Sequence, residues 1–412
     1  MRLRLDFHKL NKKDFVPTKI ALAGLLIITL YALVVACQLL IPPFLSAKTK
    51  FMDLFFKPRL AFNAHYRPDY PKESAVVMIA VDDESLLRTE GDIVSHPVFM
   101  AGTIEGISKC KPKIIVVDIA PVFNPKNPHA QRGVLIETIK KTGNVLMAYL
   151  VKDTGPMIMD DEIIKACMDY GRADVMANSG NDAVRTVIPP TFEPEWSIQK
   201  MPLPITAALI YRDMQTKTFA LNKSARTMYF FSKEDSIKVP LNMHNQIPIN
   251  YLYTMDQMPV IPAWKFLKGD FKTDLLQGKI ALLTSTSQAR PDQHNSPIGR
   301  VPGGLIFANI INSFVYSYFL IETPTRVHFA ILFVASVILG LLFYKNTVGN
   351  GALILFAAIV IYVATSFVLL LYNVMWNAFD VIVLAIILYE SILIHKARIW
   401  ELENKLYKGK ED

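Results

Sequence analysis

The sequence predicts an α/β domain, its parallel or mixed sheet built from βαβ units, set between transmembrane α-helices, one before it and three after. Three observations predict this. Apolar residues make up 52% of the 412 residues and charged residues 19%, against roughly 45–50% and about 25% in ordinary soluble domains. The apolar excess is local: one stretch near the N-terminus and a block after residue 326. Between them, short β-branched runs alternate with helix-like segments.

Residues 20–41 carry no charge and are long enough to cross a bilayer. A basic region precedes them, as in a secretory signal. The apolar stretch exceeds a signal core, however, and Pro42-Pro43-Phe44 is not a small-residue cleavage site, so an uncleaved anchor is expected. Further spans fall at 327–344, 351–372 and 378–394, joined by the short connectors Lys345–Asn350 and Asn373–Asn377. Arg2, Arg4, Lys9, Lys12, Lys13 and Lys19 flank the first span, and Lys396, Arg398, Lys405, Lys408 and Lys410 follow the last. The positive-inside rule then places both termini in the cytoplasm. The expected layout is a basic N-terminus (1–19), a first transmembrane helix (20–45), an outer domain (46–326), three transmembrane helices (327–394) and a short cytoplasmic helical tail (395–412). In a two-membrane bacterium this is a multi-pass inner-membrane protein with a periplasmic domain. Asp380 and Glu390 are the acids in the last span. They mark either an ion path, a helix contact or headgroup depth.

The net charge of +8, from 44 basic and 36 acidic residues, sits largely beside the apolar segments. That distribution points to membrane lipid, not nucleic acid, since no basic helix or aromatic-basic motif accompanies it. Three cysteines make no disulfide framework. Cys110 and Cys167, the only pair in the central region, are either bonded or two buried small apolar residues.

In the outer domain, residues 76–82, 113–118 and 144–151 are predicted strands, separated by helices over 97–110 and 130–142. Runs at 228–231 and 279–284 predict later strands, and 308–318 a closing helix. Residues 185–275, rich in proline, are not placed. Asp82 and Asp118 end two predicted parallel strands, the edge at which open α/β sheets bind ligands. Asp292 lies in the polar loop Gln288–Ser296, after another strand. Three converging carboxylates suit a hard cation or a polar small molecule; alternatively, each caps a following helix or turn. No nucleophile elbow, phosphate loop, paired-cysteine zinc pattern or His-Glu-x-x-His is present. Neither an enzyme nor a cofactor is therefore expected.

These residues resemble a known family, the second type of CHASE extracellular sensor domain (CHASE-two). Val77–Leu86 resembles its opening strand and acid-acid-x-Ser turn, and Ile114–Phe123 its second strand with a terminal Asp. Asn178–Arg185 resembles its Asn…Asp-Gly-x-Arg stretch and Gly278–Leu283 its late strand. Asp292, Pro297 and Pro302–Asn309 resemble its final loop and helix start. The resemblance implies a bacterial receptor-type layout with one span before the domain and three after it. It points to Asp82, Asp83, Ser85, Asp118, Arg185, Asp292 and Asn309 as ligand-binding residues. Departures fall near that edge: Thr284 and Ala183 stand where the family often has Gly, and Phe307 where it often has His. A segment often rich in Trp and Pro reads Asp92–Met100 here.

Only 18 residues, His395–Asp412, follow the last predicted span. Family receptors continue there into kinase or cyclase modules. Ile392, His395, Ile399, Leu402 and Leu406 follow a 3-4-3-4 spacing, a short seam for a homodimer or a partner. An ordinary amphipathic tail fits the same spacing. The expected function is a non-catalytic membrane protein that binds partners to assemble, stabilise or regulate an inner-membrane complex, such as a motor stator or an envelope machine. The alternative is a receptor passing a periplasmic signal to a separate kinase or cyclase output protein.

Overall fold

The structure is a computed structural model. It describes residues 12–88, 96–119, 121, 128–149, 161–173, 183–193, 198–216, 218–271, 273–287 and 292–408. The chain forms two compact units, one from residues 1–55 and 323–412 and one spanning Phe56–Glu322.

The chain opens with α1 (Lys12–Leu40) and α2 (Pro42–Asp53). The break between them falls where the sequence turns to Pro42-Pro43, and proline sits in the first turn of α2, where its missing N–H leaves no bond unmade.

The second unit begins with α3 (Phe56–Tyr66), followed by β1 (Val76–Val81), α4 (Asp83–Arg88), α5 (Pro97–Ser108), β2 (Ile114–Val117), α6 (Pro128–Thr142), β3 (Val145–Tyr149), α7 (Asp161–Ala166) and β4 (Asp169–Arg172). Short pieces follow: β5 (Thr186–Val187), β6 (Thr191–Glu193), β7 (Ile198–Lys200), α8 (Leu203–Tyr211), β8 (Phe219–Asn222), β9 (Thr227–Phe231), β10 (Ser236–Pro240), β11 (Ile247–Pro248) and β12 (Val260–Pro262). The unit closes with α9 (Ala263–Lys268), β13 (Ile280–Ser285), the hairpin β14 (Gln293–Ser296) and β15 (Gly299–Pro302), and α10 (Gly303–Val315).

Six strands form one sheet in the order β12-β1-β13-β2-β3-β4. Every pair in it is parallel. β1, β2 and β3 are buried along their whole lengths, which is why they read as unbroken apolar runs. Alternate residues serve opposite faces. Val77, Ile79, Val81, Ile115, Val117, Val145 and Met147 pack with Ile104 and Ile107 of α5, Leu135 and Ile139 of α6 and Phe266 of α9. The other face lies under α8 and α10. The run at 228–231 does form a strand, but in a separate antiparallel sheet, β10-β9-β8.

α10 is buried from Gly303 to Phe314, so its polar side chains must find partners inside. The amide of Asn312 accepts from Ala75 N–H at 2.8 Å and donates to Ser74 Oγ at 3.0 Å. Ser313 donates to Asn250 O at 3.1 Å. Arg59 on α3, fully buried, donates to Asn250 Oδ1 at 2.8 Å. Burial lowers its guanidinium to about 10. Cys110 and Cys167 are both free thiols. Burial raises each, and with Asp169 nearby it pushes Cys167 up to about 12, so both are inert small side chains.

The helical unit resumes after residue 322 with α11 (Thr325–Lys345), α12 (Val348–Leu371) and α13 (Phe379–Lys408). Among the described residues two helices are long and apolar enough to cross a membrane, Thr325–Lys345 and Val348–Leu371. α1 contributes a shorter apolar stretch, Gly24–Cys37. α13 runs on beyond the expected span to Lys408. Ile27, Val34, Leu332, Leu339, Val381, Leu388 and Ile392 form the unit's core. Leu25, Ile28, Phe333, Ile338, Phe356 and Ile361 are exposed on its outside. Ile392, expected on a seam for a partner, is 2% exposed. It is already covered by the unit's own helices, because the α13 face carrying Leu384 and Leu388 also carries Ile392 one turn on.

Replacing Asn312 by Leu leaves the Ala75 N–H without its acceptor inside the core. The expected loss is about 1–3 kcal/mol, read as a lower denaturation midpoint of the full chain. An unchanged midpoint would show that the Asn312 amide does not hold the start of β1.

Candidate functional site

Because β13 lies between β1 and β2, the residues leaving those strands gather at one carboxyl edge. Asp82 follows β1, Asp118 follows β2, and Thr284 and Ser285 end β13. The Asp118 N–H donates to Leu283 O at 2.9 Å, continuing the ladder by one bond. The fully buried Thr284 donates its hydroxyl to Asp118 Oδ2 at 3.3 Å.

Asp292 reaches the same edge from the β14–β15 hairpin. Gln293 pairs with Pro302, which sets Asp292 opposite Gly303, and Gly303 N–H donates to Asp292 O at 2.9 Å. The Asp292 carboxylate therefore lies against the first residue of α10, where helix N–H groups favour negative charge. A Cβ on Gly303 would stand 2.2 Å from Asp292 Oδ2, and one on Gly304 would stand 2.3 Å from Thr284 Cγ2. Pro-Gly-Gly is thus a packing requirement: both glycines yield the space that Asp292 and Thr284 occupy. His294 Nε2 lies 2.8 Å from Asp292 Oδ1.

Desolvation holds the Asp118 carboxyl well above the usual carboxylate range, and the Asp292 charge raises it further. The Thr284 hydrogen bond opposes both but does not offset them. Burial and a like charge both penalise ionisation, and here they act on one group.

The remaining predicted residues have internal duties. Asp82 Oδ1 accepts from Ser85 N–H at 2.7 Å and from Ser85 Oγ at 2.6 Å, so Asp82 caps α4, the alternative that the sequence left open. Ser85 is fully buried. Asp83 Oδ1 accepts from Ser287 Oγ, tying the start of α4 to the chain leaving β13. Arg185 donates from its guanidinium to Ala183 O at 3.1 Å. Asn178–Asp182 and Gln288–Pro291 lie outside the described residues, as do Asp92–Ser95 and the side chains of Leu402 and Leu406.

Asn309 is not available to a ligand, contrary to the motif-based expectation. Its Oδ1 accepts from Leu252 N–H and Tyr253 N–H at 2.7 and 2.9 Å. Its Nδ2 donates to Tyr253 O and Leu305 O at 3.1 and 2.9 Å. Every polar position of the amide is used on backbone. Nor do three acids converge: among the described residues no three His, Cys, Asp or Glu side chains stand together as a metal-holding group. Asp118 and Asp292 do come near enough for the charge of one to act on the other, with Thr284 bonded to the first and His294 to the second. The sequence held signals for these two: Thr284 stands out as a departure from the family pattern, and His294 lies in the loop that carries Asp292.

The class defined by the structure is an α/β domain with a parallel six-stranded sheet and an acid pair at its carboxyl edge, on a chain with two helices long and apolar enough to cross a membrane. The chain belongs to the CHASE2 family: the CHASE2 domain matches residues 27–342. No curated protein and no solved structure matches the chain.

Above its raised folded-state value, Asp118 carries a charge that the fold disfavours. As pH falls through that value the carboxyl protonates and the penalty vanishes, until the unfolded chain also protonates near 3.9. Asp118→Asn is therefore expected to stabilise the domain at neutral pH by on the order of 1 kcal/mol. The advantage over the parent shrinks on acidification toward the free carboxylate range. Thermal unfolding in a pH series checks this. A variant that is less stable than the parent at neutral pH contradicts it.

Proposed function

We propose that the chain is a transmembrane sensor. Its CHASE2 domain faces the periplasm, four helices cross the inner membrane, and both termini are cytoplasmic. The state of the domain passes to a separate output protein. The observation that supports a sensing edge is the Asp118–Asp292 acid pair. A carboxyl held against its own solvation at the ligand edge of a sheet answers readily to a proton or to an arriving cationic donor. With Asp82, Ser85 and Asn309 occupied internally, the input meets few atoms: the carboxyls of Asp118 and Asp292 and the His294 ring. That suits a proton or one cationic group of a partner better than a polyfunctional small molecule.

The four-span reading draws support from the exposed apolar outside of the helical unit. Large apolar side chains spread over several helices are poorly served by water and well served by lipid. The basic residues flanking α1 and ending α13 suit the cytoplasmic side.

A second reading keeps the protein as an assembly or stabilising factor of an inner-membrane complex. One observation favours it: Thr284 packs into space beside Gly304 at the predicted ligand edge. A ligand would have to displace that side chain, whereas a protein partner would only cover it.

The test is gentle extraction of tagged protein from native membranes at two external pH values. Co-purification of a kinase, cyclase or phosphatase, in an amount that changes with pH and no longer changes in Asp118→Asn, supports the sensor. A stoichiometric machine subunit that ignores both favours the second reading, and a solitary chain overturns both. For topology, a cysteine at Asn222 is expected to react with an impermeant maleimide in cells with an opened outer membrane. One at Trp400 is expected to react only after lysis.

A further inference from the structure

The helical unit contains a charge cluster that the sensing edge does not explain. Asp380, in the first turn of α13, is fully buried. Its Oδ2 takes two donors, Lys48 Nζ from α2 at 2.6 Å and His328 Nε2 from α11 at 2.7 Å. Its Oδ1 is buried with no hydrogen-bond partner. Asn377 reinforces the junction: its Nδ2 donates to Lys48 O at 2.6 Å, while its Oδ1 accepts from Phe379 N–H at 2.9 Å. Three helices therefore meet on one carboxylate oxygen. The other helices add no further charge there: α12 contains no charged residue, and neither does α1 between Gly24 and Cys37.

Fifteen helical residues of α13, 381–395, separate this junction from a second one. There Lys396 Nζ donates to Phe343 O and Asn346 O, at 2.8 and 2.5 Å, at the end of α11. The stretch between is an apolar seam, Val381, Leu384, Ala385, Leu388 and Ile392 against Leu332, Ala335, Leu339 and Phe343. Such a seam attracts without strongly fixing register, because apolar contacts are non-directional. Register is then set by the polar ends.

The two ends differ in kind. Lys396 binds two backbone carbonyls at the end of one helix, α11. Asp380 depends on two donors from two other helices, one of which, α2, is separated from α3 along the chain only by Leu54 and Phe55. We propose that Asp380 is a releasable latch, through which Lys48 of α2 and His328 of α11 fix the start of α13 independently of its far end. Withdrawal of Lys48 leaves a buried carboxylate short of its counter-charge, an unfavourable state that a shift of the first turn of α13 relieves. The latch does not rest on the reading of Asp118 and Asp292.

Single reporter cysteines at Val381 and Ile392, both buried, test this in the full chain, with Cys37, Cys110 and Cys167 replaced. Asp380→Asn and Lys48→Met are each expected to speed alkylation at residue 381 by about tenfold or more, as local opening does. The rate at residue 392 stays within about twofold of the parent, since the Lys396 end persists. Combining Lys48→Asp with Asp380→Lys is expected to restore slow alkylation at 381. Unchanged rates at 381 in both single variants overturn the latch. So does equal acceleration at 381 and 392, which marks general loosening and is separated from local release by the second reporter.

Discussion

The α/β unit depends on one constraint: α10 is buried on all sides, so its polar side chains must be satisfied from within. Asn309, Asn312 and Ser313 meet that demand by binding backbone that belongs to no regular ladder, at Leu252, Tyr253 and Asn250 and at the start of β1. The buried backbone of an irregular segment is thereby paired, which matters because a buried backbone group left unpaired would cost more than the bond itself contributes. The same helix begins with two glycines that leave room for Asp292 and Thr284. Fold and candidate site are joined at that first turn.

This connection gives the acid pair its physical meaning. Asp118 sits where the ladder between β2 and β13 ends, and Asp292 is held by the hairpin that delivers α10. Asp118 is fixed by the end of the ladder, while the Asp292 carboxylate is partly open to water. Burial is therefore the larger penalty on Asp118 and the Asp292 charge the smaller, and a proton or a cationic donor relieves both. Sites that hold a charge against stability are where function and fold pull in opposite directions.

Much of the sheet was legible in the sequence because parallel strands buried on both faces leave unbroken apolar runs. The strands expected over 76–82, 113–118, 144–151 and 279–284 correspond to β1, β2, β3 and β13 within a residue or two. The edge strands were not legible. β4 reads Asp-Tyr-Gly-Arg and β12 has only three residues ending in proline, so neither carries an apolar signature. The helix expected from Ala308 starts five residues earlier, since Gly303-Gly304 lowered its apparent helix propensity while serving close packing. Among site residues, the motif around Asn309 is visible in the sequence but its role is not: a structural asparagine and a ligand-binding one look alike until their partners are known. The Lys48–His328–Asp380 cluster joins residues more than 300 positions apart, a pairing that no local spacing reveals. Of its members, only Asp380 stood out, as a charge in an apolar segment.

The central claim is that burial, and to a lesser degree Asp292, raise the Asp118 carboxyl well above the range of a free carboxylate. Carbon-13 NMR of aspartate-labelled full-length protein, with the Asp118 resonance assigned through Asp118→Asn, measures this directly. The account predicts a titration well above the ordinary carboxylate range that moves down when Asp292 is replaced by Asn. An Asp118 resonance that titrates at or below the free value, and ignores Asp292→Asn, would contradict it.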